Sequence, residues 1–173
     1  MAADPTAKPT AGPAPAGAQH ARHMRQAIAL MRQAGVVERS GGPFGAVVVR
    51  DGQVLGAAGN SVLRDVDPTA HAEVNAIRQA CRNTGSHELH GAVLYSSGEC
   101  CPMCYAAACW ARIAKVYYAS RWSDYADLFD DARIQADLAR PPQARQLAPE
   151  PLLREEALAV WQEFRQLEGG ARY

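Results

Sequence analysis

The chain has 173 residues, with 18 Lys plus Arg balanced by 18 Asp plus Glu, so one domain can bury its own core and no net field draws in a polyanion or an anionic membrane. No apolar run approaches the roughly 20 residues that span a bilayer, and the first 19 residues lack the charged and apolar regions of a secretory signal. The five cysteines are odd in number and mostly clustered, which points to a reducing compartment, so a soluble cytoplasmic protein is expected.

In chain order, residues 1–19 are rich in Ala, Pro, Gly and Thr and have almost nothing to bury. Such a segment cannot offset its ordering entropy, so a disordered tail is expected, with the folded domain at 20–173. Met24, Ala27, Ile28 and Met31 then recur at i, i+3, i+4 and i+7, predicting a helix with one buried face that ends near Gly35. "FGAVVVR" and "VLGAAGN" flank Asp51-Gly52 and predict a hairpin. Asp67-Pro68 reads as an N-cap followed by proline, opening a helix whose apolar face is Ala70, Val74, Ile77 and Cys81.

"AVLYSS" predicts a strand at 92–97, Pro102 opens a helix to about Ala111, and "IAKVYYA" predicts a strand at 113–119 covered on both faces. A short helix around 130–138 and a final helix carrying Leu153, Ala157, Val160, Phe164 and Leu167 complete the chain. This order gives an α/β fold, a three-layer helix-sheet-helix sandwich with a mixed central sheet.

Four cysteines, Cys100, Cys101, Cys104 and Cys109, crowd into ten positions. Cys101 and Cys104 form C-x-x-C with Pro102 in the first helical turn, where the positive helix end favours thiolates. That pair alone also suits redox exchange, or core filling. His71, at the start of the other proline-opened helix, supplies a third donor if the two helix N-termini converge over one sheet edge. Three protein ligands leave zinc an open position, the mark of a catalytic site, whereas a fourth protein ligand would make it structural. Glu73, two residues on, is placed as a base that reaches water at the metal rather than as a ligand. Cys81 and Cys109 are expected to be buried filler, Trp110, Trp122 and Trp161 to serve packing, and Cys100 to be a non-ligand beside the site.

The run H-x-E, then P-C-x-x-C, matches the zinc deaminase signature, although the residue before Cys101 here is Cys100 rather than proline. With "GGPFGAVVV", "DPTAHAEVNAIRQAC", "CPMC", "WARIAKVYYA" and "FDD", the chain resembles the guanine deaminase branch of the cytidine deaminase-like superfamily, with plant guanosine deaminases as close kin. The resemblance covers residues 20–138 and resumes at the terminal tyrosine. It implies the cytidine deaminase-like fold, one Zn2+ per subunit, and hydrolysis of guanine to xanthine and ammonia as a step of purine catabolism. Guanosine, cytosine or another aminoheterocycle is the alternative substrate, and tRNA adenosine a more distant one.

By the same resemblance His71, Cys101 and Cys104 match zinc ligands and Glu73 the proton shuttle. Asn60 matches a residue that hydrogen-bonds the purine, Phe44 a wall for the base, and Asp131 an aspartate that assists proton transfer. Tyr173 matches a tyrosine that closes over the base. A homodimer is implied in which the C-terminal segment, here 140–173, is swapped between subunits; the partner molecule is a small purine base, with neither nucleic acid nor membrane called for. The chain departs from the family in carrying Gly98 where cysteine is usual and Cys100 where proline is usual. "DYADLFDD" is also one residue shorter than the family stretch and lacks the glycine before Phe129.

Overall fold

The computed structural model describes residues 16–171, so residues 1–15 of the expected tail, and Tyr173, lie outside the described residues. The chain forms two compact units that divide after Ala132. In the first, helix α1 (Ala16–Arg32) runs into a π-helical turn at Gln33–Val37, and strands β1 (Gly45–Arg50) and β2 (Gln53–Gly59) follow. Next come helices α2 (Val62–Asp65) and α3 (Ala72–Thr84), strand β3 (Val93–Gly98), helix α4 (Pro102–Trp110) and strand β4 (Lys115–Ser120). The four strands lie in the order β2-β1-β3-β4. β1 is antiparallel to both β2 and β3, whereas β3 and β4, joined through α4, are parallel. The sheet is therefore mixed, as expected.

Alternation along β1 builds the three layers. Val47 and Val49 pack with Tyr95 beneath Ala27 of α1, and Ala46 and Val48 point the other way into a core with Ala72, Ala76, Ile77 and Ala80 of α3 and Ala108 of α4. Gly45 lets α1 lie close on β1, because a Cβ there would overlap the Ala27 carbonyl oxygen. Asp51 and Gly52 both take positive φ (52° and 77°), which turns the hairpin tightly as its sequence predicts.

Several expectations are corrected. Helix α1 begins at Ala16, so residues 16–19 are helical rather than part of a tail. Its buried face centres on His23 and Ala27, with Met24 and Leu30 partly buried beside them, and Ile28 is exposed. Asp67 does not cap α3: its carboxylate accepts from the backbone N–H and hydroxyl of Thr69, both at 2.7 Å, closing a turn at 67–70 instead. Strand β4 lies at the sheet edge with Tyr117 36% and Tyr118 46% exposed, so it is not doubly covered in this chain. Cys109 and Trp110 are exposed as well.

Helix α5 (Asp131–Leu138) leads into the second unit, which contains helix α6 (Arg154–Gln166) with Trp161 set edge-on to Phe164. Among the described residues no helix is long and apolar enough to cross a membrane.

Candidate active site

The turn at 67–70 delivers His71 in extended conformation (φ −67°, ψ 151°) as the N-cap residue of α3, one position outside the helix. Across from it Cys101 is the N-cap residue of α4, with Pro102 in the first turn and the Cys104 backbone N–H donating to its sulfur at 3.5 Å. The two N-termini converge as the sequence predicts. His71 Nδ1 stands 3.6 Å from Cys101 Sγ and 3.5 Å from Cys104 Sγ. Among the described residues these three form the group able to hold a metal, with all donor atoms within 4.8 Å of one another.

The donor spacing fits zinc. A tetrahedral ion about 2.3 Å from sulfur and 2.0–2.1 Å from nitrogen requires S···N separations of about 3.6 Å. The electrostatics agree with that fit. A hydrogen bond from Cys104, joined by one from His71, holds the Cys101 thiol well below the ordinary range against its burial. The same shared bond, and then burial, pushes Cys104 up, and bonding to Cys101 raises His71. The pocket thus already favours one thiolate, and a cation completes the pair. Cys100 stays outside this group. It packs between the α3–α4 core and the two cysteines of this group, and burial pushes its thiol up, as suits a filler.

Glu73 is 4% exposed. Its Oε1 accepts from the Ser96 hydroxyl at 2.9 Å, and its Oε2 from the Cys104 thiol at 3.4 Å. Burial, the largest influence, raises its proton affinity. Because His71 lies outside the helix, Glu73 turns inward below the metal group without joining it.

Phe44, Asn60, His71, Glu73, Cys101 and Asp131 line one cavity of about 280 Å³. Asn60 is buried there, and its Oδ1 accepts from Val62 N at 3.1 Å. That bond leaves the amide NH2 as the group free to donate. Asp131, the first residue of α5, is half-buried, and its carboxyl is raised by burial and then by the Cys101 charge. Every expected site residue within the described range therefore reaches this cavity or, for Cys104, the metal group beside it. Tyr173 lies outside the described residues.

Sequence reasoning missed Ser96, Glu99 and Phe129; the last two line the cavity. Ser96 sits four residues past Ala92 in a strand read only as apolar, and no local pattern marks it. Phe129 stands in the quoted "FDD", where its aromatic character beside Asp131 was the available signal.

Residues 18–120 match the model of the cytidine and deoxycytidylate deaminase zinc-binding region. The chain belongs to this deaminase family. Its members' zinc-binding region coincides here with the His71–Cys101–Cys104 group, so the deaminase fits one Zn2+ per subunit and is a zinc-dependent hydrolase. The deaminase is similar to the guanine deaminase of Bacillus subtilis, 39% identical over 155 residues that cover 89% of this chain and 99% of that one. The solved structure of a Bacillus subtilis guanine deaminase superposes with a TM-score of 0.84 at 39% identity, covering 89% of this chain and 98% of that one. The tRNA-specific adenosine deaminase of Agrobacterium fabrum is 43% identical, over 104 residues covering 60% of this chain and 67% of that one.

Proposed function

We propose that the protein hydrolyses guanine to xanthine and ammonia, a step of purine catabolism. The observation that carries this reading is one cavity of about 280 Å³ that joins the metal group, a buried carboxylate, an amide and an apolar wall. The similarity to the guanine deaminase of Bacillus subtilis spans 89% of the chain, against 60% for the tRNA-specific adenosine deaminase, which favours the free base over RNA. The balanced charge supports the same choice.

We assign His71, Cys101 and Cys104 as ligands. Zinc held by them would supply Lewis acidity and lower the pKa of a bound water towards about 7. Phe44 offers an apolar face to the flat base, and Asn60 donates its NH2 to a purine acceptor. Glu73, oriented by Ser96, takes a proton from the attacking water and returns it to the ring nitrogen next to C2. The water oxygen bonds to C2; the new C2 hydroxyl then gives its proton to Glu73, which with help from Asp131 passes it to the amine, so that the C2–N bond breaks, the C2 carbonyl of xanthine forms and ammonia leaves.

The C-terminal segment 140–173 is assigned to the cover of the site, supplied by the second subunit of a swapped homodimer, with Tyr173 closing over the base. All five cysteines are free, which suits the cytoplasm. Ammonia release from guanine, guanosine, cytosine and adenosine-bearing tRNA by the zinc-loaded protein tests the reading. Guanine is expected to be the preferred substrate, and preferential release from tRNA or cytosine overturns it.

A further inference from the structure

The aromatic wall of the cavity leans on a residue to which neither the zinc motif nor the resemblance gives a task. Phe44 and Phe129 line the cavity and meet edge-on, with 4.9 Å between ring centroids and 67° between planes. Tyr125 adds a third ring, edge-on to Phe44 at 5.4 Å and 79° and to Phe129 at 6.2 Å and 74°. Each ring thus presents an edge or a face to the other two, the favoured arrangement of aromatic quadrupoles.

The tyrosine is also tied at its far end. Its hydroxyl donates to the Glu99 carbonyl oxygen at 3.2 Å, and the same oxygen accepts from Trp122 Nε1 at 3.0 Å. Glu99 lies two residues before the ligand Cys101, so this tie fastens the segment after β4 to the loop that carries the metal group. Gly98 makes the space for it. A Cβ at Gly98 would stand 3.1 Å from Phe44 Cε1 and 3.3 Å from Tyr125 Oη, closer than side chains ordinarily sit.

We propose that Tyr125 is a positioning residue whose hydroxyl, latched to Glu99 beneath Gly98, fixes the spacing of Phe44 and Phe129 against the bound base. This inference rests on the assignment of a flat aminoheterocycle to the cavity. The latch acts on binding rather than on proton transfer, so its loss moves KM more than kcat.

The test uses the full-length zinc-loaded protein with Tyr125→Ala, Tyr125→Phe and Gly98→Ala. Tyr125→Ala is expected to raise KM for guanine about tenfold with kcat within about threefold and zinc content unchanged. Tyr125→Phe, which keeps the ring and loses the tie, gives a smaller rise in the same direction, and Gly98→Ala raises KM by crowding Phe44 and the hydroxyl. Trypsin cleavage after Arg121, in the tied segment, provides a reading that needs no turnover; it is expected to quicken severalfold in Tyr125→Ala. An unchanged KM in all three variants, or a fall in kcat that parallels loss of zinc, overturns the latch, as does unaltered cleavage after Arg121. Failure of the unsubstituted protein to release ammonia from guanine instead overturns the proposed function, and the cleavage rates then still decide the latch.

Discussion

Glu73 carries the sharpest prediction at the scale of single residues, because it is buried, hydrogen-bonded by Ser96 and outside the metal group. Glu73→Gln keeps the shape and removes the base. It is expected to retain one zinc per subunit while kcat falls by about 10²–10⁴-fold, measured by metal analysis beside an ammonia assay. Ser96→Ala frees one carboxylate oxygen and is expected to lower kcat by about 10- to 100-fold, in line with a hydrogen bond to a charged group worth about 1.5–3 kcal/mol. A kcat equal to that of the unsubstituted protein would remove Ser96 from the account. The proposed ligands and base were legible because H-x-E and C-x-x-C are short local spacings, each at the start of a helix. Asn60, Phe44 and Asp131 were legible only through resemblance. Ser96, Glu99 and Tyr125 were not, since tertiary contacts alone bring a strand serine under α3 and a tyrosine hydroxyl onto the Glu99 carbonyl.

For the elements, β-branched and apolar runs placed the sheet strands within a few residues, Pro102 marked the start of α4, periodicity from Met24 found α1 but not its first turns from Ala16, and the Asp51-Gly52 pair set the hairpin. The start of α3 was misjudged because Asp67 and Pro68 serve equally well in a turn, and the Thr69 N–H and hydroxyl that engage the carboxylate decide the outcome. That shift matters for function, since it moves His71 out of the helix and turns Glu73 inward. Strand β4 was misread because an apolar run carries no sign of whether a neighbour covers it. The contact of α1 with β1 gives a stability test. Gly45→Ala forces a Cβ against the Ala27 carbonyl and is expected to cost about 1–3 kcal/mol, as overpacking does, measured by urea unfolding of the zinc-loaded protein. A stability unchanged by that substitution would mean the helix rides higher on the sheet than described.

Across the whole molecule, the metal group joins the N-termini of α3 and α4, which come from separate stretches of chain on one side of the sheet. Zinc removal is therefore expected to lower the melting temperature as well as abolish turnover, with both restored by stoichiometric zinc. A chelated protein that melts unchanged would show that the group contributes nothing to the fold. The proposed swapped homodimer predicts a two-subunit mass in solution, and deletion of Tyr173 is expected to raise KM for guanine without altering zinc content. The most direct measurement of the central claim pairs metal content with turnover in one preparation of the unsubstituted protein and one of Glu73→Gln. One zinc per subunit in both, with guanine converted to xanthine and ammonia only by the first, is the predicted result. Absence of stoichiometric zinc from the unsubstituted protein, or ammonia released at an equal rate by Glu73→Gln, would contradict it.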